Sequence, residues 1–173
     1  MSDFLINDLV IAFAAKKDLP NVLRLMQQLA EFEDYINDFN VDLAYLEKHL
    51  CKQDSAKQDS AKQAFEVLVA RQAGSAVGML VFYTLPFTYD LKPWFMMKEL
   101  IVDPTHRSSG VGKALMSRLA TVGAARGVSK IRWDVLKANA DAKRFYELLG
   151  AEHQADWELY SLGKKAMGEL SNL

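Results

Sequence analysis

The 173-residue chain has a single cysteine, Cys51, and only three histidines, His49, His106 and His153, scattered without metal-ligand spacing. An internal disulfide and a cysteine-based metal cluster are excluded, and no metal is expected. Charge of one sign is missing too. Twenty-one Lys and Arg against 22 Asp and Glu leave a formal −1, which gives no electrostatic reason to expect nucleic acid or an anionic membrane as partner. No apolar run approaches the ~20 residues that span a bilayer. The first apolar segment contains Asp3 and Asp8 and follows no basic leader, so no signal peptide is expected and a cytoplasmic location is. Low-complexity sequence is confined to one place, where Lys-Gln-Asp-Ser-Ala occurs twice in succession, at Lys52–Ala56 and Lys57–Ala61. A polar duplication of that kind fits a surface loop and carries no chemistry.

What is present is ordinary in bulk and patterned in detail. Half the residues are apolar and a quarter charged, enough for one globular domain over residues 1–173. Leu9 to Ala15 reads as a strand. Asp18 is placed as an N-cap with Pro20 in the first helical turn. Leu19, Val22, Leu25, Met26, Leu29 and Phe32 then recur at helical spacing, ending in an acidic loop with Glu31, Glu33, Asp34, Tyr35 and Asp38. A shorter helix starting at Asn40 or Asp42 carries Leu43, Leu46 and Leu50. Phe65–Ala70 and Val77–Thr84 read as strands around a turn at Gln72–Ser75, and Phe95–Val102 as a third strand. Lys130–Leu136 is another, and Asn139 opens a helix with Ala142, Phe145 and Leu149 on one side, stopped by Gly150. His153–Leu162 reads as one or two strands and Lys164–Leu170 as a closing turn of helix. This order predicts an α/β (α+β) mixed sheet with helices on both faces.

The chain is organised around Lys98 to Leu115. A buried strand, Leu100–Val102, turns at Asp103-Pro104 into a glycine-containing loop, and a helix opens near Gly110 with Val111, Leu115, Leu119 and Val122 as its stripe. Such a unit aims unpaired N–H groups and the positive end of a helix at one point, where an anion is held. It is not a Walker A loop, since the position five before Gly112 is Arg107 and Lys113 is followed by Ala114. It is not a dinucleotide fingerprint either, since the third glycine is replaced by Leu115.

Val-Asp-Pro-x-x-Arg-x-x-Gly-x-Gly, Val102 to Gly112, together with the Asn139 … Ala142 … Phe145-Tyr146 … Leu149-Gly150-Ala151 run, resembles the two motifs of the GCN5-related N-acetyltransferase family. The likeness in element order covers nearly the whole chain. The resemblance implies that family's acyl-coenzyme A N-acyltransferase fold, with a central twisted mixed sheet, and transfer of an acetyl group from acetyl-coenzyme A to an amine by direct attack.

By that resemblance Arg107, Ser108, Ser109, Gly110, Val111, Gly112 and Lys113 hold the pyrophosphate. Leu100, Ile101 and Val102 lie along the pantetheine arm and thioester, where two central strands diverge. Tyr146 occupies the place of a general acid for the leaving thiolate; a phenol with an ordinary pKa of ~10 stays protonated at neutral pH. The alternative is a core aromatic beside Phe145, but Ala142, Phe145 and Leu149 already fill the core face and leave Tyr146 about 100° round the helix, which favours the acid. Glu99 is the nearest candidate base, or else a solvated strand-edge acid paired with Lys98. Asn139 and Ala142 meet the coenzyme, with Asn139 also able to cap its helix. Glu31, Glu33 and Asp34 would suit a cationic amine, and Tyr89 and Trp94 would wall its pocket. The layout is also similar to the diamine and polyamine acetyltransferases, which have two adjacent acids where this chain has Lys98-Glu99. A small-molecule amine, a peptide amine and a non-catalytic acyl-coenzyme A binding role are the readings left open, and a homodimer is expected from the family's habit.

Overall fold

The structure, a computed structural model, describes residues 4–6, 8–50, 65–86 and 89–172, divided into two compact units, Met1–Asp134 and Val135–Leu173. The duplicated segment and Cys51 lie outside the described residues. Among those described, no helix is long and apolar enough to cross a membrane.

The first unit is built on a six-stranded sheet in sequence order: β1 (Phe4–Ile6), β2 (Leu9–Phe13), β3 (Glu66–Gln72), β4 (Ser75–Leu85), β5 (Trp94–Val102) and β6 (Lys130–Arg132). Neighbours are antiparallel through β5, and β5 and β6 are parallel. A parallel pair needs a crossover, which α3 (Val111–Ala125) provides. The mixed sheet is therefore as expected; β1 was not foreseen.

Helices α1 (Leu19–Phe32) and α2 (Leu43–Leu50) cover one face, with Leu25, Leu29, Leu46 and Leu50 packed on Val67, Val69, Met79, Val81 and Ile101. Helix α3 covers the other. A Cβ on Gly78 would stand 3.0 Å from Val111 Cγ1 and 3.4 Å from Leu115 Cδ1, so α3 seats against bare backbone there. With both faces covered, the central strands are apolar without alternation: Val67–Ala70 and Ala76–Phe82 are buried throughout. At the β3–β4 turn Ala73 and Gly74 both have positive φ, 48° and 82°, the backbone that matches the twist of a tight hairpin.

Several local expectations change. Asp18 makes no side-chain cap bond. Its carboxylate is drawn inward instead, accepting hydrogen bonds from the Ala15 N–H and the Arg71 guanidinium. Burial alone would raise its pKa, but the Arg71 and Ala15 bonds hold it below the usual value. Phe32 and Leu43 are 57% and 43% exposed, so the apolar stripes stop one turn short at the facing ends of α1 and α2. Asp42 is the cap of α2, accepting from Tyr45 N at 2.7 Å. The strand expected over Lys130–Leu136 ends at Arg132.

In the second unit, α4 (Ala140–Leu148) and α5 (Lys164–Leu170) form where expected. The strands expected over His153–Leu162 do not; that stretch has no ladder, only a turn in which Trp157 N donates to Gln154 O. A strand is defined by its partner, and apolar spacing alone does not supply one.

Candidate active site

The site begins with a fault in the sheet. Phe82 stands opposite Met97, but its neighbour Val81 stands opposite Glu99, so Lys98 is an extra residue on β5. Val81 belongs to the core under α1, and cross-strand partners share a face. In an unbroken strand Lys98 would take the place under α1 and Glu99 would lie under α3. The bulge reverses this and gives Glu99 the α1 face. It also bends its strand. β5 and β6 pair only at Trp94–Lys130, Phe95–Ile131 and Met96–Arg132, and part just before the bulge. From Met97 to Val102 β5 is thereby open on its β6 side, which is the divergence the family resemblance implied.

Glu99 is half-buried, and its Oε2 is buried with no hydrogen-bond partner. Burial pushes its pKa up to about 7, against the pull of Lys98 and with a further push from Glu33. The exposed Lys98 therefore acts on the carboxyl without competing for its place.

Glu33 reaches this face because α1 ends in a Schellman motif: Tyr35 N donates to Ala30 O at 2.9 Å and Asp34 N to Glu31 O at 3.3 Å, with Asp34 in the left-handed region at φ 60°. The reversal folds Tyr35 inward beside the acids. Burial, then Glu99 and Glu33, push its phenol up to about 12, which keeps it a hydrogen-bond donor. Sequence reasoning placed Tyr35 in the acidic loop but gave it no role. Glu31, Glu33 and Asp34 are all exposed at this turn.

At the far end of β5, Asp103 accepts from Thr105 Oγ1 at 2.7 Å and Thr105 N at 3.1 Å, and pairs with Arg24 of α1 at 2.9 Å. The Thr105 bonds, joined by Arg24, hold its carboxyl down at about 2. This fixes the start of the loop. Ser108 and Gly110 then take positive φ, 60° and 88°. The first intrahelical bond is Ala114 N to Gly110 O, so the N–H groups of Gly110 to Lys113 are left pointing out of the helix start. Arg107 is exposed, with Nε donating to Val102 O at 3.3 Å. A cavity of about 390 Å³ opens beside this turn, lined by Leu9, Gln72, Ser109, Gly110, Val111, Lys113, Ala114 and Ser117. It adjoins the anion loop and includes no residue of β5.

Trp94 shares the face of Glu99, but β4 separates their partners Leu85 and Val81 by four residues, about 13 Å. Tyr89 lies edge-on to Trp94 at 5.3 Å, and Lys130 Nζ sits 4.7 Å from the Trp94 ring with the Arg132 guanidinium at 5.7 Å. The two aromatics are thus attended by cations and stand apart from the acidic group. In the second unit, Asn139 Oδ1 accepts from Ala142 N at 3.0 Å, so it caps α4. Tyr146 is half-buried and packs edge-on to Phe145 at 5.2 Å. No group of three or more His, Cys, Asp or Glu among the described residues could hold a metal ion.

A model of the acetyltransferase (GNAT) family matches residues 25–151. The chain belongs to the GNAT family. It is an acetyl-transferring enzyme, and it is similar over 94% of its length, at 24% identity, to the thialysine N-epsilon-acetyltransferase of Bos taurus, 96% of which is covered. It is 27% identical to the L-ornithine N5-acetyltransferase of Arabidopsis thaliana over 56% of this chain and 42% of that one. Among solved structures, an aminoglycoside acetyltransferase from an uncultured soil metagenomic sample, in complex with sisomicin, superposes with a TM-score of 0.71 at 26% identity, covering 91% of this chain and 98% of that one. The GNAT fold thus stands on the topology and on these likenesses together.

Proposed function

We propose that this GNAT enzyme moves an acetyl group from acetyl-coenzyme A to a primary amine of a small, cationic molecule by direct attack. The observation that carries this reading is Glu99: a carboxyl whose pKa lies near 7, with one oxygen buried and unpartnered, on the same face as Glu33 and Tyr35. An amine must be neutral to attack, and a base is most useful when its pKa lies near the working pH. Glu99 takes that proton, directly or through a water. Glu31, Glu33 and Asp34 favour a cation at the mouth. The names of the relatives, thialysine and L-ornithine acetyltransferases, support an amino-acid-like amine.

Acetyl-coenzyme A supplies the thioester, and the residues present fit it. The outward N–H groups of Gly110 to Lys113, with Ser108, Ser109 and Arg107, suit a pyrophosphate. Leu100, Ile101 and Val102, on the stretch of β5 that β6 does not pair, would lie along the amide-bearing arm, and the family resemblance gives Asn139 and Ala142 a contact with the coenzyme as well. Tyr146, in the place the family resemblance gives to a general acid, returns a proton to the departing sulfur. The test is thiol release from acetyl-coenzyme A with a panel of small amines, including L-ornithine and 1,4-diaminobutane, with products identified by mass spectrometry. Release with the small amines and N-acetylated products supports the reading; acetylation of peptides alone overturns it.

A further inference from the structure

Gln28 lies on α1 away from the apolar stripe of Val22, Leu25, Met26 and Leu29, one turn beyond Arg24 and on the same side. Its Oε1 is buried and accepts no hydrogen bond from the described residues. Arg24 does not satisfy it, because its guanidinium is committed to Asp103 at 2.9 Å and Ala76 O at 3.4 Å. Two interactions bracket the position of Gln28 along β5. Arg24, in the second turn of α1, meets Asp103 just past the end of β5, and Glu33, at the C-cap of α1, acts electrostatically on Glu99. From Arg24 to Glu33 a helix rises about 13 Å, and from Asp103 back to Glu99 a strand runs about 13 Å. The helix therefore runs antiparallel to β5 along this stretch, and Gln28 stands near its middle, about 7 Å short of the level of Glu33. Two buried oxygens without partners, Gln28 Oε1 and Glu99 Oε2, thus occur on one side of the sheet.

We propose that Gln28 is a specificity-determining residue: its amide oxygen accepts a hydrogen bond from a second amino group of the acceptor while the first is delivered to Glu99. The offset of about 7 Å along α1 between Gln28 and the level of Glu33 is of the order of the separation between two amino groups on a four- or five-carbon chain. This rests on the reading of the protein as a small-amine acetyltransferase. An acceptor carrying one amine leaves the Gln28 oxygen buried and unpaired, which is how a site rejects an analogue lacking a hydrogen-bonding group. Gln28 has no part in holding the coenzyme or in the proton transfer.

The test compares L-ornithine and 1,4-diaminobutane with n-butylamine in the wild type, Gln28→Leu and Gln28→Glu. In Gln28→Leu, KM for the two diamino acceptors is expected to rise roughly tenfold, with kcat and KM for acetyl-coenzyme A unmoved and KM for n-butylamine unmoved or lowered. The melting temperature should hold or rise, because an unpaired buried amide is removed. Gln28→Glu should restore or lower the KM for the diamino acceptors. A KM that moves equally for all three amines, a change in the KM for acetyl-coenzyme A, or a clear loss of melting temperature in Gln28→Leu would overturn the proposal while leaving the enzyme reading intact. Wild-type protein that acetylates none of these amines would remove the small-amine reading, and this proposal with it.

Discussion

Glu99 stands opposite Val81 one residue out of the register that pairs Met97 with Phe82, and this single offset decides which residue of the Lys98-Glu99 pair takes the face under α1. Lys98 holds the Glu99 pKa down and Glu33 holds it up. Two substitutions should therefore act with opposite sign. Lys98→Ala removes a cation that favours the carboxylate, so the acidic limb of the kcat/KM profile should move to higher pH. Glu33→Gln removes an anion, and the limb should move lower. Profiles that shift together, or not at all, would show that the two charges do not act on the base.

The raised pKa also has a cost in stability. Glu99 titrates near 4.5 when unperturbed and near 7 in the fold, so between these values the folded protein binds more protons than the unfolded chain. Its contribution to stability then falls as pH rises through this window and stays lowest above it. Glu99→Gln should melt several degrees higher than wild type at pH ~8, with the difference vanishing near pH ~4. Equal melting temperatures at both pH values would contradict the burial of a carboxyl at this place.

Gly78 couples the sheet to the anion loop. A Cβ there would stand 3.0 Å from Val111 Cγ1 and 3.1 Å from the backbone oxygen of Ile101. Gly78→Ala should cost about 1–3 kcal/mol and push the first turn of α3 outward. KM for acetyl-coenzyme A should rise while KM for the amine holds. A selective effect on the amine would place the loop's role elsewhere.

For Tyr146 the two readings separate cleanly. As the acid for the leaving thiolate, Tyr146→Phe should lower kcat at least tenfold with little change in the binding of acetyl-coenzyme A. If Tyr146 only packs against Phe145, kcat should barely move.

Much of the scaffold was legible in the chain. The stripe Val111, Leu115, Leu119 and Val122 is buried along α3 as its spacing implied, and Gly127 and Gly150 close α3 and α4 in the left-handed region, at φ 69° and 84°. The mixed sheet followed from the element order. The bulge was not legible. Apart from Lys98-Glu99, Trp94 to Val102 is apolar on both faces, so it has no alternation whose break could mark an extra residue, and two-against-one pairing is a property of β4 and β5 together. The same holds for Asp18, whose partner Arg71 lies 53 residues away, and for Tyr35, placed by a left-handed Asp34 where glycine would have been the visible signal. At His153–Leu162 the apolar spacing suggested strands, but no neighbouring strand pairs with it.

The pH dependence of acetyl transfer to L-ornithine or 1,4-diaminobutane, measured from about pH 5 to 9 for wild type and Glu99→Gln, tests the central claim most directly. The account predicts that wild-type kcat/KM rises with pH to an inflection near 7, and that Glu99→Gln loses this limb and roughly a hundredfold in rate. A variant that keeps both the limb and the rate would contradict Glu99 as the base.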